Sequence, residues 1–263
     1  MAFADVNGTR LHYQVAGEGA PVVFIHGLGL DLRMWDDQFQ IFTARYRVIR
    51  YDLRGFGKSA PQTDERFLHA EDLHALLGFL DVPKPNVIGL SLGGTIALQY
   101  ALLYPDGLFS LILVDSALDG FDWSNEWEDA YSAIRERAAQ AGASAANQMW
   151  LEHDLFGPAR EQPDCRSRLA QMVGESSGWT WTNKSSARGI RPPSAERLGD
   201  IHVPALVIVG ERDLPDFQRI ADILAAGIPG AHKVVMKGVG HMSNMEGPGE
   251  FNRIVMGFLE LGE

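Results

Sequence analysis

An α/β architecture, a mostly parallel sheet flanked by helices, is what this chain of 263 residues predicts. Two observations carry that expectation. Short, wholly apolar runs recur between stretches of helical periodicity, the pattern of βαβ units whose strands are buried on both faces. The composition, 46% hydrophobic and 22% charged, can bury the core that such a sheet needs. A single α/β unit accounts for the length.

The elements follow in order. "FADVNGTRLHYQV" alternates around Asn7-Gly8, the dipeptide of a type I′ hairpin, and predicts two antiparallel strands at one sheet edge. "PVVFIHGLG" predicts a strand buried on both faces. "RMWDDQFQIFTARY" places Trp35, Phe39 and Phe42 on one helical face, and "YRVIRYD" is the next strand. "FLHAEDLHALLGFLDV" brings Leu73, Leu76, Leu77 and Leu80 to helical spacing, and "NVIGL", "LGGTIALQYALLYP" and "FSLILVD" read as strand, helix and strand. Past residue 200, "ALVIVGERD" and "HKVVMKGVGH" predict two more strands, each followed by a helix, "DFQRIADILAAGI" and "GEFNRIVMGFLEL".

Residues 116–200 predict helices and no strand of this kind. They hold five of the six tryptophans, Trp123, Trp127, Trp150, Trp179 and Trp181. Inserted between two strands, the segment is expected to form a helical lid over the C-terminal edge of the sheet, where open α/β sheets bind ligands. The expected division is a core of residues 1–115 and 201–263 and a lid of residues 116–200.

A net charge of −11 repels phosphate backbones, and no basic tract offsets it, which argues against a nucleic-acid partner. No charged n-region precedes an apolar stretch, and no apolar run reaches the ~18 residues of a membrane span. The expectation is a cytoplasmic protein. Its oligomeric state stays open. The single cysteine, Cys165, rules out an internal disulfide and a multi-cysteine metal site, and it reads as a buried or incidental thiol.

Three glycine-rich stretches compete for the chemistry. "RGFGKS" fails as a phosphate loop because Asp52 stands where G-x-x-x-x-G-K-[ST] needs glycine. "HGLGLDL" has Leu32 where the third dinucleotide glycine belongs. Gly89-Leu90-Ser91-Leu92-Gly93 is a complete G-x-S-x-G between a strand and a helix, the arrangement of a nucleophile elbow. There the Ser91 hydroxyl projects from a strained turn, and the helix N-terminus offers the Leu92 amide to a developing oxyanion.

With these motifs the chain resembles the α/β-hydrolase family over nearly its whole length. "VVFIHGLG" resembles the family's oxyanion segment, "YDLRGFGKS" the loop after the following strand, and "GLSLGG" the elbow. "VIVGERD" resembles the acid strand and "GVGHMSNMEGP" the histidine loop. The resemblance implies an α/β-hydrolase fold and a triad in the order serine, acid, histidine. Of eight histidines, only His241 follows a late strand in a glycine-rich loop, which makes it the base. The other histidines, His69 among them, are expected in surface or packing roles, and His26 as a buried residue shaping the oxyanion loop. Asp213, ending "VIVGERD", is the expected acid; Asp115, ending "LILVD", is its rival. The resemblance also implies the Leu28 backbone N–H as second oxyanion donor. Glu211 reads as solvated or salt-bridged, and Asp52 and Arg54 as turn residues with an internal salt bridge.

Serine at position 91 decides among chemistries, because dehalogenases and epoxide hydrolases of the family carry aspartate there and dienelactone hydrolases cysteine. The expectation is hydrolysis of a carboxylic ester or lactone through an acyl-enzyme, with no metal or organic cofactor. "GLGLDLRMWDDQF" and "RYDLRGFGKS" are similar to 3-oxoadipate enol-lactone hydrolases, although His26-Gly27 departs from that branch. The alternatives are carbon–carbon bond hydrolysis, for which Leu30 replaces the usual proline, a cofactor-free perhydrolase, and a ligand receptor on the same fold with little turnover. Trp123 and Trp127, four apart in the lid, are expected to share one helical face and line the substrate pocket.

Overall fold

In the computed structural model, which describes residues 2–261, eight strands form one sheet. They are β1 (Ala2–Val6), β2 (Thr9–Ala16), β3 (Pro21–Ile25), β4 (Arg47–Tyr51), β5 (Asn86–Leu90), β6 (Ser110–Val114), β7 (Ala205–Gly210) and β8 (His232–Met236). Their order is β1-β2-β4-β3-β5-β6-β7-β8. The β1–β2 and β2–β4 pairs are antiparallel and all others parallel. Asn7 and Gly8 both take positive φ, +44° and +68°, as a type I′ turn demands. Strands β5, β6 and β7 are buried at every position, which is why they read as unbroken apolar runs.

Helices cover both faces: α1 (Asp36–Phe42), α2 (His69–Phe79) and α3 (Leu92–Leu103) early in the chain, α9 (Pro215–Gly227), α10 (Ser243–Glu246) and α11 (Pro248–Glu260) late. Alternate strand residues supply two cores. Val23, Ile25, Val87, Leu111 and Val207 pack with Leu73, Leu76, Ile96 and Leu224 on one face. Val22, Phe24, Ile88, Ile112 and Ile208 pack with Trp35, Phe42, Phe251 and Val255 on the other. The chain leaves β3 for β4 on one side and returns to β5 on the other, so β3 and β5 flank the switch in strand order. A crevice opens at such a point beyond the strand C-termini.

Between β6 and β7 the described residues form α4 (Asn125–Ala141), α5 (Ala143–Leu151), α6 (Gly157–Arg160), α7 (Pro163–Glu175) and α8 (Trp179–Thr182), with no strand longer than an isolated bridge of Phe67 to Ala187. One expectation changes here. Trp123 lies before the Ser124 N-cap of α4, not on the helix, because the Ser124 hydroxyl accepts from Trp127 N and starts the helix after it. The two indoles still stack, with centroids 4.9 Å apart.

The internal ion pair expected near "YDLRGFGKS" is present, with its partner outside that stretch. Asp52 takes His12, whose Nδ1 donates to Oδ2 at 2.8 Å. Arg54 takes Asp72 of α2 in a buried two-pronged pair at 2.6 and 2.9 Å. Asp72 also accepts from Asn7 Nδ2, and Arg54 donates to Asn7 O, so this cluster ties the β1–β2 turn to α2. Removing one member strands the other charge in a dry site. Arg54→Leu should therefore cost about 3–5 kcal/mol in urea unfolding, and much of it should return in the double variant Arg54→Leu/Asp72→Leu.

Candidate active site

Strand β5 ends at Leu90 and α3 begins at Leu92, leaving one residue to make the turn. Ser91 does so with φ +55° and ψ −115°, a backbone that side chains other than glycine rarely adopt. The glycines around it explain themselves by what a methyl group would strike. A Cβ on Gly89 would lie 2.1 Å from Gly93 O, one on Gly93 2.2 Å from Ile25 O, and one on Gly94 2.1 Å from Ser116 Oγ. A serine at a helix start normally caps it, yet the Ser91 side chain makes no cap hydrogen bond. Its hydroxyl is left to the cavity above. The Leu92 amide opens α3 and so has no acceptor within the helix.

Leu28 follows β3 in the neighbouring loop, which a buried histidine shapes. His26 Nε2 accepts from Leu53 N at 2.9 Å, so the proton sits on Nδ1, which donates to Gly27 O at 2.8 Å. Burial pushes this imidazole below its ordinary value and keeps it neutral. Leu28, Ser91 and Leu92 all line one cavity of about 260 Å³.

His241 comes from the loop after β8 and Asp213 from the loop after β7. His241 Nδ1 donates to Asp213 Oδ2 at 2.9 Å, both side chains being enclosed. The second Asp213 oxygen accepts from Leu214 N at 2.7 Å, and the Phe217 ring packs 4.3 Å from the imidazole. Ser91 and His241 border the same narrow void of about 10 Å³. Burial pushes His241 down to about 4, against the opposing charges of Asp115 and Glu246. Burial also raises the Asp213 carboxyl well above the usual carboxylate range.

Asp115, fully buried, makes no hydrogen bond to His241. Its Oδ1 accepts from Gly210 N at 2.7 Å and its Oδ2 from Ser243 Oγ at 2.5 Å, which fastens the end of β7 to the turn after His241. Glu246, which sequence reasoning missed, accepts from Gly240 N at 2.6 Å and Met242 N at 3.0 Å, the amides on either side of His241. Its one signal was a carboxylate within five residues of the histidine in a glycine-rich loop. Glu211 stays exposed and accepts from Gly238 N, without an ion pair among the described residues. Cys165 is buried, its thiol directed at Met245 O, and burial pushes it up to about 11.

Trp123 and Trp127 line the cavity over Ser91, and so do Trp150 and Phe217. Trp150, not singled out in the sequence, is the hub, with ring contacts to Trp127, Phe156 and Trp181. Trp181 is buried behind it. His69, expected in a packing role, also reaches the cavity wall, together with Gln62. Among the described residues no cluster of metal-ligating side chains occurs, and no helix is long and apolar enough to cross a membrane.

Comparison with known proteins agrees with this geometry. A sequence model described as the alpha/beta hydrolase fold matches residues 20–248. The 3-oxoadipate enol-lactonase 1 of Acinetobacter baylyi is 25% identical over 257 residues, 96% of this chain and 94% of that one. The solved enol-lactonase of Burkholderia xenovorans superposes with a TM-score of 0.85 at 28% identity, covering 98% and 100% of the two chains. A thermophilic esterase of Thermogutta terrifontis gives 0.85 at 27% identity over 99% and 98%. A match of this length, on a sheet whose order delivers a strained serine to its central crevice, makes the chain a hydrolase belonging to the α/β-hydrolase fold family.

Proposed function

We propose that the protein hydrolyses a carboxylic ester or lactone, with Ser91 as nucleophile, His241 as base and Asp213 as the acid that orients it. The observation that carries this reading is the 2.9 Å bond from His241 Nδ1 to Asp213 Oδ2. It leaves Nε2 as the free nitrogen of a ring that borders the same void as Ser91. Nε2 takes the Ser91 proton as Oγ attacks the carbonyl carbon, and the resulting oxyanion is held by the Leu28 and Leu92 amides. Collapse breaks the bond to the alcohol oxygen, which receives that proton. Water then attacks the acyl-enzyme, with His241 again as base, and releases the acid and Ser91. These proton and acyl transfers need no cofactor. Residues 116–200 serve as the lid, and Trp123, Trp127 and Trp150 give the cavity an apolar wall that excludes water and favours hydrophobic groups. Similarity to enol-lactonase and esterase structures supports the same bond class.

Ser91→Ala should lower kcat/KM on p-nitrophenyl butyrate by about 10⁴–10⁶ with an unchanged melting temperature. Activity within tenfold of the parent would remove Ser91 from the role.

Asp213→Asn should cost about 10⁴, because the amide holds the imidazole in the wrong tautomer. Asp115→Asn should cost far less, since an asparagine can still accept from Gly210 N and donate to Ser243 Oγ. The reverse ranking in steady-state kinetics would transfer the acid to Asp115.

The base works only when neutral, so activity is present above its pKa and lost as pH falls through it. With burial lowering His241, the acid limb of kcat/KM should have its midpoint below the ordinary value, measured where the circular dichroism spectrum is unchanged. A midpoint at or above the ordinary 6.5 would contradict control by burial.

A further inference from the structure

The cavity over Ser91 has a polar part as well as its indole wall. His69, the first residue of α2, is 6% exposed and lines it. Its Nδ1 is enclosed without any hydrogen-bond partner among the described residues, with the Phe67 ring edge-on 4.9 Å away. Burial pushes this imidazole down to about 3, helped by repulsion from Arg54, so it carries a single N–H. An orphaned buried N–H is rarer than an unused acceptor, which favours the proton on Nε2. His69 thus meets the cavity as a donor. Gln62 is 9% exposed and lines the same cavity. Its Oε1 accepts from Ser185 Oγ at 3.1 Å and Ser186 N at 3.3 Å. A backbone N–H can only donate, so the amide cannot be turned round, and the Nε2 end is the one left without an acceptor among the described residues.

Two side-chain donors without an acceptor among the described residues thus line the wall of one substrate-sized cavity. We propose that His69 and Gln62 form a binding site for a second oxygen acceptor on the substrate. The preferred ester or lactone then carries a ketone or carboxylate besides its scissile carbonyl. This rests on the ester- or lactone-hydrolase reading above. A site built to hydrogen-bond such an oxygen discriminates against the analogue that lacks it, because the donors are then left unpaired in a dry cavity.

The test compares three p-nitrophenyl esters of similar length: pentanoate, levulinate (4-oxopentanoate), and the hemisuccinate, with ketone and carboxylate in turn. The intact protein should prefer levulinate or the hemisuccinate over pentanoate by about 10- to 100-fold in kcat/KM, the worth of one or two such hydrogen bonds. Whichever of the two is preferred identifies the group. His69→Phe should bring that ratio close to one, and Gln62→Leu should reduce it, which serves if the first variant does not fold. No preference in the intact protein, or a variant that slows all three esters by one factor, overturns the proposal. Binding is read without turnover from the ¹⁵N resonance of His69, assigned by its loss in His69→Phe. Levulinate or succinate should shift it and pentanoate should not. A shift without hydrolysis of any ester keeps this site and removes the esterase reading. Equal hydrolysis of all three without a shift does the opposite.

Discussion

The left-handed backbone of Ser91 carries a cost of about 1–3 kcal/mol, and much of the surrounding structure is the means of sustaining it. Ser91 N donates to Val114 O, and Ser91 O accepts from Ala117 N, so the turn is fastened to the end of β6 as well as to its own helix. Strand β5 is paired on both sides, by β3 and β6. The glycines let α3 and its neighbouring loops come within contact of the turn, which leaves the serine no alternative path. The strain therefore cannot relax locally. It is a property of the sheet order, since only a central strand at the switch point has supports on both sides and a crevice in front.

Three buried carboxyl groups surround His241, and they do different work. Asp213 touches the imidazole. Glu246 holds the two amides that bracket it, which sets the path of the loop. Asp115 joins β7 to the turn behind. Each satisfies backbone or hydroxyl donors that would otherwise be buried unpaired. Concentrating acids in a dry pocket is costly unless each has such partners, and here every one has at least two.

Most of the fold was legible because its central strands are buried on both faces, its edge hairpin alternates, and most of its helices bury one face, so these elements declare their type by period. The elbow and the histidine loop were legible because backbone constraints write themselves as glycines. What stayed hidden depends on distant packing. Trp150 and Trp181 carry the same side chain in the same insertion, yet only the former reaches the cavity, a result of how α4, α5 and α8 pack. His69 looked like any histidine on an amphipathic helix. Its place at the cavity wall follows from the loop at residues 185–188, which pairs with Phe67. Asp115 and Asp213 both follow strands in the sequence, and only the hydrogen-bond partners separate them.

The insertion is fastened to the sheet domain at both ends and in its middle. Ser124 Oγ donates to Asp216 at its start, and Gln62 and Phe67 hold residues 185–188 at its end. Between them Arg168 pairs with Asp37, and Cys165 is directed at Met245 O. In the lid role proposed above, an insertion secured at so many points is not built to swing on a hinge as one piece. Traffic through it is then a matter of aperture: molecules enter and leave at rates set by their own cross-section and flexibility, and bulk becomes a selection criterion before any chemistry begins.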